Sequence, residues 1–410
     1  ATLAQGILRE CPHQGLLSLM GSCSCVGPMG LCRSLALGAW VLPAFGQIVF
    51  TPPDQVGQMA PHMRSLAHSS VDAYFQQRDA RSIRGLRHAQ STFAQLLDHD
   101  RKVGDVGVLL KTLASAAEVS LLLGAVDAAE RLFAELLGLE ACTHRQRLLS
   151  QASCAAFAGG KLAILRRAAG DAAGAAAAFA TATARGATWT SPWQLPPEHL
   201  RGLAARAVWE ARDVPLAIRL ADSFAAVSKD FGRLAAAVER GKGKLRWEST
   251  PDFFLLAAGA WDELSVKGAG WSAAACRLAP TVCSLLRGRP EVDGQVVYQG
   301  EDLLVPGRVG FLRMRPGTEL RPHTANWNGR LNVHLPVRVP SRCPASGGCG
   351  ALQVADEPPL AWQLGRPIVF DDSFVHSVRV PADAVGDRVV LHVSIWHPDL
   401  PIDERPDGEL

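Results

Sequence analysis

Hydrophobic positions in this chain change period partway along it. From about residue 69 to residue 187, apolar residues recur at the spacing of an amphipathic helix, in stretches rich in Ala, Leu, Arg and Glu. Three stretches repeat one device, a small residue four positions before a phenylalanine: Ala89/Phe93, Ala129/Phe133 and Ala175/Phe179. Residues i and i+4 share a helical face, so each pair predicts a close contact between helices. From about Thr188 the pattern changes. TWTSPWQLPPEHL reads as an extended, Pro-rich entry, and residues 214–247 as one or two helices. Beyond them, short runs of Val, Ile, Leu and Phe alternate with Gly, Pro, Asn and Asp, which predicts strands bounded by turns. The predicted strands are Asp252–Val266, Val296–Val305, Gly310–Met314, Arg330–Val339, Pro367–Phe370 and the run RVVLHVSIW from Arg388. The fold class expected is α+β and multidomain, with an all-α region followed by an all-β barrel.

The expected domains are an apolar leader over 1–68, a helical region over 69–187, a β domain over 188–402 and a tail over 403–410. Only Arg9, Glu10 and Arg33 are charged in the first 50 residues. MGLCRSLALGAWVLPAFGQ (Met29–Gln47) has the cation, apolar core and small residues of a secretory signal. The charge-free run Ser34–Thr51 is alternatively a marginal membrane anchor, weakened by Pro43. A featureless leader is the third option. Membrane association is therefore expected only through residues 1–68. DGEL at the C-terminus is similar to an ER-retention ending only in Glu409 and Leu410. The expected location is the secretory pathway, with the cytoplasm as the alternative.

At 48% hydrophobic and 20% charged residues, the chain has the composition of a folded protein. A net charge of +3, with no Lys/Arg cluster interleaved with aromatics, argues against a nucleic-acid partner. Cys142 and Cys154 fall in the helical region and read as buried free thiols. Cys276/Cys283 and Cys343/Cys349 are close pairs, spaced to close short loops as disulfides in an oxidising compartment. Neither pair has the two-to-four-residue gap of a zinc knuckle.

The candidate chemistry lies between residues 310 and 400. His323, His334 and His376 sit where strands start, end or alternate. Two histidines from facing strands of a small barrel, His323 and His376, are positioned to point inward at one divalent ion; imidazole suits Zn, Cu, Fe and Ni. The usual non-heme iron pattern adds a carboxylate two residues after the first histidine, but that residue is Ala325. Asp371 and Asp372 lie close in sequence, yet adjacent turn carboxylates more often bond local backbone amides. Along Arg330–Val339, Arg330, Asn332 and His334 alternate with Leu331, Val333 and Leu335, which puts the polar groups on one face. Arg388 opens the last long strand, where a guanidinium can pair with a carboxylate in a bidentate fork. A β-barrel holding a divalent metal and a small dicarboxylate is the physical reading.

MRPGTELRPHTANWNGRLNVHL, GRPIVFDDSFVHSV and RVVLHVSIWHPDL resemble the aspartyl/asparaginyl β-hydroxylases, over about residues 188–402. The resemblance implies an Fe(II)- and 2-oxoglutarate-dependent oxygenase on a double-stranded β-helix, a jelly-roll or cupin-like fold. It implies that His323 and His376 are the iron ligands, with no third carboxylate. It also implies that Arg388 holds the distal carboxylate of 2-oxoglutarate, and that His334 lies near its carboxylate and keto end. Cys276 and Cys283 match a cysteine pair that can be bridged in the secretory members, which implies an oxidising compartment. The chain departs from the family at Asn332, where animal enzymes carry a cosubstrate-binding arginine, and at Leu312, where they carry a serine. Arg330, Arg313 or Arg315 is the expected compensation. The helical stretches similarly resemble tetratricopeptide repeats, with a plain α-helical bundle as the alternative; a helical repeat region precedes the oxygenase domain in animal members. Their phenylalanines are 40 and 46 residues apart, longer than the repeat's period of about 34.

The function expected from the resemblance is hydroxylation of an unactivated C–H, the β-carbon of Asp or Asn in a protein or peptide. Fe(II), 2-oxoglutarate and O2 are the expected cofactors. A catalytically weak scaffold is the alternative from another class. A small-molecule or lipid substrate is the alternative within the enzyme class. A zinc- or manganese-dependent cupin-type enzyme shares the two histidines but leaves Arg388 without a role.

Overall fold

Apolar spacing and helix-capping residues build the first part of the chain as a row of neighbouring helices. In the computed structural model, the described residues are 56–77, 80–148, 152–241, 245–250, 253–298, 301–303, 307–343 and 349–403. The helices are α1 (Val56–Gln77), α2 (Ala80–Val103), α3 (Val106–Leu122), α4 (Val126–Gly138), α5 (Cys154–Ala168) and α6 (Ala172–Ala184), each packed on the next. Asp105, Ser153 and Asp171 cap α3, α5 and α6 by accepting from backbone N–H groups of the first turn. Gly124, at a φ of 75°, reverses the chain between α3 and α4. Ala89, Ala129, Ala175, Phe93 and Phe133 are buried in the helical core, as the repeated device predicts. Gly159 on α5 sits where a Cβ would meet Ala182 Cβ at 2.4 Å, so α5 and α6 touch backbone to side chain.

The N-terminal expectations meet the structure at one point. Helix α1 runs across position 68, where the leader was expected to end. The candidate signal Met29–Gln47, the candidate anchor Ser34–Thr51 and the DGEL ending lie outside the described residues. No described helix is long and apolar enough to cross a membrane.

Cys142 and Cys154 are joined in a disulfide, which corrects the expectation of free thiols. A helical pattern shows burial but not which loop returns to which helix start, and here the loop after α4 folds back onto the first residue of α5. Cys276–Cys283 and Cys343–Cys349 are also bonded. With 12 residues of separation, closing the Cys142–Cys154 loop is worth about 3 kcal/mol by chain entropy. Replacing both residues by alanine should lower the unfolding free energy by about that amount. An unchanged urea midpoint under non-reducing conditions would show that the bond constrains nothing.

The rest of the chain adds β1 (Val208–Trp209), α7 (Pro215–Asp222), α8 (Phe224–Glu239), β2 (Glu248–Ser249), β3 (Leu256–Ala258) and β4 (Trp261–Lys267). Then come α9 (Ala273–Leu278), α10 (Pro280–Leu286), α11 (Pro290–Asp293), β5 (Gln295–Tyr298), β6 (Glu301–Leu303), β7 (Val309–Met314) and β8 (Glu319–His323). The last elements are β9 (Arg330–Arg338), β10 (Ala351–Val354), β11 (Leu360–Ala361), β12 (Ile368–Phe370), β13 (His376–Arg379), β14 (Arg388–Trp396) and β15 (Ile402–Asp403). A seven-stranded sheet runs β1-β12-β9-β14-β7-β4-β2, and a five-stranded sheet β11-β10-β13-β8-β3. A small third sheet, β15-β5-β6, stands apart from both.

The period of two sorts residues between two cores. Leu331, Val333 and Leu335 of β9, with Val389, Leu391 and Val393 of β14, face outward against Leu220, Phe231 and Leu234 of α7 and α8. The alternate residues face inward. Leu312, Met314 and Val390 of the large sheet meet Leu320, Leu352, Val354 and Val378 of the small one. The two sheets therefore pack face to face over a mixed apolar and polar interior. The helical core also takes in Trp189, Leu195 and Val375, so the helices rest directly on the turn before β13.

Candidate active site

The two candidate metal ligands are cross-strand neighbours. His323 ends β8, and His376 opens β13 directly opposite it in an antiparallel pairing. Residues opposite one another in such a pair point to the same face, and the ring centroids lie 4.1 Å apart. The expectation of facing strands is corrected: both histidines stand on the five-stranded sheet. Strand β8 is absent from the predicted strands because its sequence, ELRPH, carries two charges and a proline that break the apolar alternation.

Each ring is turned by its own strand. His323 Nδ1 donates to Arg321 O at 2.7 Å, and His376 Nδ1 donates to Phe374 O at 2.8 Å. Spending Nδ1–H on a carbonyl leaves Nε2 bare, the state in which imidazole binds a metal. Desolvation holds His323 well below the ordinary imidazole range, reinforced by His376 beside it. Burial lowers His376 as well, opposed by the Asp372 carboxylate. Among the described residues no cluster of three or more His, Cys, Asp and Glu forms around a single point.

The turn between β12 and β13 carries both aspartates, and each carboxylate is already engaged. Asp371 accepts from Ser373 N at 2.8 Å and from Gln194 Nε2 at 3.1 Å; burial pushes it up to about 7. Asp372 accepts from Arg330 Nη2 at 2.7 Å and Asn332 Nδ2 at 2.9 Å. Gln194, from the strap after the helices, also donates to Ser373 Oγ at 3.0 Å and so ties this turn to the helical part.

Arg388 is the largest fully buried side chain among the described residues, 1% exposed. Its guanidinium lies over the Trp362 ring at 4.3 Å, and Nη2 approaches Met314 Sδ at 2.8 Å. Nε and Nη1 have no hydrogen-bond partner among the described residues. Burial pushes its pKa down to about 9, so the group is still cationic at neutral pH. A buried, charged and unpaired guanidinium is costly unless an anion joins it. His334, on the same inner face, likewise keeps an unpartnered Nδ1. The residues therefore fit the groups expected: two bare Nε2 atoms suit a divalent transition metal, and the Arg388 fork suits the end of a dicarboxylate.

The structure sorts the other candidates. Asn332 is inward, with its amide shared between Asp372 and Ser394. Arg330 is inward at the rim and paired with Asp372. Arg313 pairs with Asp262 and stacks on Trp247, and Arg315 also leans toward Asp262, so neither reaches the inner face to compensate for Asn332. Leu312 is packed in the inner apolar core. His392, Ser394, Gln194 and Trp362 were not singled out from the sequence. Extending the period of two from Arg388 along β14 would have placed His392 and Ser394 on the inner face.

Residues 221–398 match the family model described as aspartyl/asparaginyl beta-hydroxylase. That stretch holds His323, His376, His334 and Arg388 and leaves out the helices α1–α6. Human aspartyl/asparaginyl beta-hydroxylase is 29% identical over 220 residues, 53% of this chain and 26% of that protein. Human aspartate beta-hydroxylase domain-containing protein 1 is 30% identical over 189 residues, 45% of this chain and 43% of that protein. The chain thus spans less than half the length of either relative. A solved Pseudomonas putida prolyl-4-hydroxylase aligns over 45% of this chain and 99% of its own, at 15% identity and a TM-score of 0.27. A solved oxidoreductase of the 2OG-Fe(II) oxygenase family from Burkholderia pseudomallei aligns over 50% of this chain and 98% of its own, at 13% identity and a TM-score of 0.25. Those likenesses are loose.

Proposed function

Residues 221–398 belong to the aspartyl/asparaginyl β-hydroxylase family, and from that premise we propose that the chain is an Fe(II)- and 2-oxoglutarate-dependent hydroxylase of a protein or peptide. One observation carries this reading: two imidazoles held with Nε2 bare share the interior with a buried guanidinium that lacks an anion. His323 and His376 hold the metal. Arg388 pairs with the distal carboxylate of 2-oxoglutarate, and Trp362 keeps the fork flat beneath it. Bound iron, with O2, supplies oxidation of 2-oxoglutarate to succinate and carbon dioxide together with hydroxylation of a C–H bond.

The protein's part is to bind, orient and exclude water. Two facing sheets in double-stranded β-helix form, over residues 188–402, enclose the interior; the Arg330–Asp372 pair closes its rim. The helices, as a tetratricopeptide-like array, pack through α5 against β8, the strand that carries His323. A side chain entering there, the β-carbon of Asp or Asn in a peptide, is the proposed substrate. The three disulfides among the described residues favour an oxidising, secretory compartment. Leu312, apolar where a donor would serve the cosubstrate, favours a second reading, a binding scaffold without turnover.

Purified chain should be incubated with Fe(II), ascorbate and 2-oxoglutarate, with and without peptides bearing Asp or Asn. The expected result is succinate formation coupled to a gain of one oxygen on a peptide. Binding of metal and 2-oxoglutarate with no product on any peptide would favour the scaffold. Binding of neither would overturn the assignment of the site.

A further inference from the structure

Arg330, Asp372, Asn332, Ser394, His392 and His334 are joined in an unbroken line on the inner face of the large sheet, and the line has a direction. Its origin is unambiguous, because the Asp372 carboxylate paired with Arg330 only accepts. Asn332 must turn its NH2 to Asp372, 2.9 Å away, which turns its Oδ1 to Ser394. Ser394 Oγ donates to that Oδ1 at 2.9 Å. A hydroxyl has one hydrogen, and here it is spent. Ser394 Oγ therefore accepts from His392 Nε2 at 3.1 Å, which places a hydrogen on that nitrogen.

The remaining two rings follow from neutrality. Burial holds His392 well below its ordinary range, and His334, Arg308, Arg330 and Arg388 act in the same direction. A neutral His392 with Nε2–H has a bare Nδ1, which accepts from His334 Nε2 at 3.0 Å. Burial likewise lowers His334, with Arg388 on β14 and His376 on β13 adding to it. Phe370 of β12 contributes only an aromatic edge to that ring. The single hydrogen of His334 therefore sits on Nε2. Its Nδ1 is left as a lone pair, buried and without a partner among the described residues.

We propose that His392 and Ser394 are positioning residues that, anchored through Asn332 on Asp372, fix the His334 hydrogen on Nε2 and present a bare Nδ1 to the cosubstrate. Only the identity of the ligand rests on the function proposed above; the tautomer stands on this chain's own contacts. A lone pair repels a carboxylate. Seating a 2-oxo acid against His334 therefore requires a new N–H bond at Nδ1, with the proton taken from solvent. His334 Nε2–H stays on His392, and the ring becomes an imidazolium beside the anion. Cosubstrate binding is then coupled to uptake of one proton and weakens as pH rises, up to about tenfold per pH unit. Without the Ser394 hydroxyl, His392 is free to carry its hydrogen on Nδ1. His334 can then stay neutral with a hydrogen on its own Nδ1, and the coupling is lost.

Two measurements on the full chain test this. Nitrogen-15 NMR of the histidine-labelled, ligand-free protein reads the tautomer of His334. Anaerobic calorimetry of 2-oxoglutarate binding with Zn(II), in two buffers of different ionisation enthalpy, reads proton uptake. The wild type and Ser394→Thr, which keeps the hydroxyl, should show Nε2–H on His334 and uptake of one proton. Ser394→Ala should show Nδ1–H and an uptake falling towards zero. Nδ1–H in the wild type, or equal uptake in wild type and Ser394→Ala, overturns the proposal. If 2-oxoglutarate does not bind the wild type, the function proposed above fails, and the NMR measurement still decides the tautomer.

Discussion

Replacing His376 with alanine is expected to remove metal binding and turnover together. The site has two imidazoles and, among the described residues, no third metal-binding side chain grouped with them. The nearest carboxylate on the same turn, Asp372, is held by Arg330 and Asn332 and is not free to substitute. Losing even an outer-shell partner of a metal ligand typically costs about 10–100-fold. Losing one of two ligands should exceed that, leaving succinate formation below about 1% of wild type. Metal content and succinate should be measured side by side, with His376→Gln as a variant of similar volume to control for the buried cavity. Wild-type metal content and turnover in His376→Ala would sink the assignment. Burial lowers both imidazoles, so proton competition for the metal should set in only below their ordinary pH range. Loss of metal at pH 7 would contradict that.

Arg388→Met should move two quantities in opposite directions. Without cosubstrate, the wild type carries a cation that is 1% exposed and has two unpartnered nitrogen atoms. Apolar replacement of buried charges is often neutral or stabilising, by about 1–4 kcal/mol. The ligand-free variant should therefore unfold at equal or higher denaturant. With 2-oxoglutarate the order reverses. Truncating one partner of a buried charge pair costs about 2–5 kcal/mol of binding, or roughly 30- to 5,000-fold in Kd. The stabilisation that 2-oxoglutarate gives the wild type should accordingly vanish. Unchanged 2-oxoglutarate affinity would remove Arg388 from the site. A large loss of ligand-free stability would mean that the guanidinium is already satisfied.

Much of the site was legible before folding. Strand β9 declared its faces through Arg330, Asn332 and His334 against Leu331, Val333 and Leu335, because a strand's period is set by its backbone. Histidines beside turn residues suggested ligands. The same rule applied to β14 would have reached His392 and Ser394, which share the face of Arg388. Strand β8 was hidden because two charges and a proline break its apolar alternation, and its pairing with β13 comes from the partner strand. Gln194 gave no local signal, since its role depends on a turn 177 residues away.

The sequence by itself determined that helices precede a β domain, which residues of β9 face inward, and that two histidines and an arginine fall in the β domain. These depend on period and turn chemistry, which neighbouring residues set. Only the tertiary structure decided that His323 and His376 are opposite one another, that Cys142 reaches Cys154, and that Arg388 is buried without a partner. It alone also decided the direction of the line from Asp372 to His334. Register, closure and hydrogen-bond direction are properties of which strands meet. That follows from burying both sheet faces at once, and no local pattern encodes it.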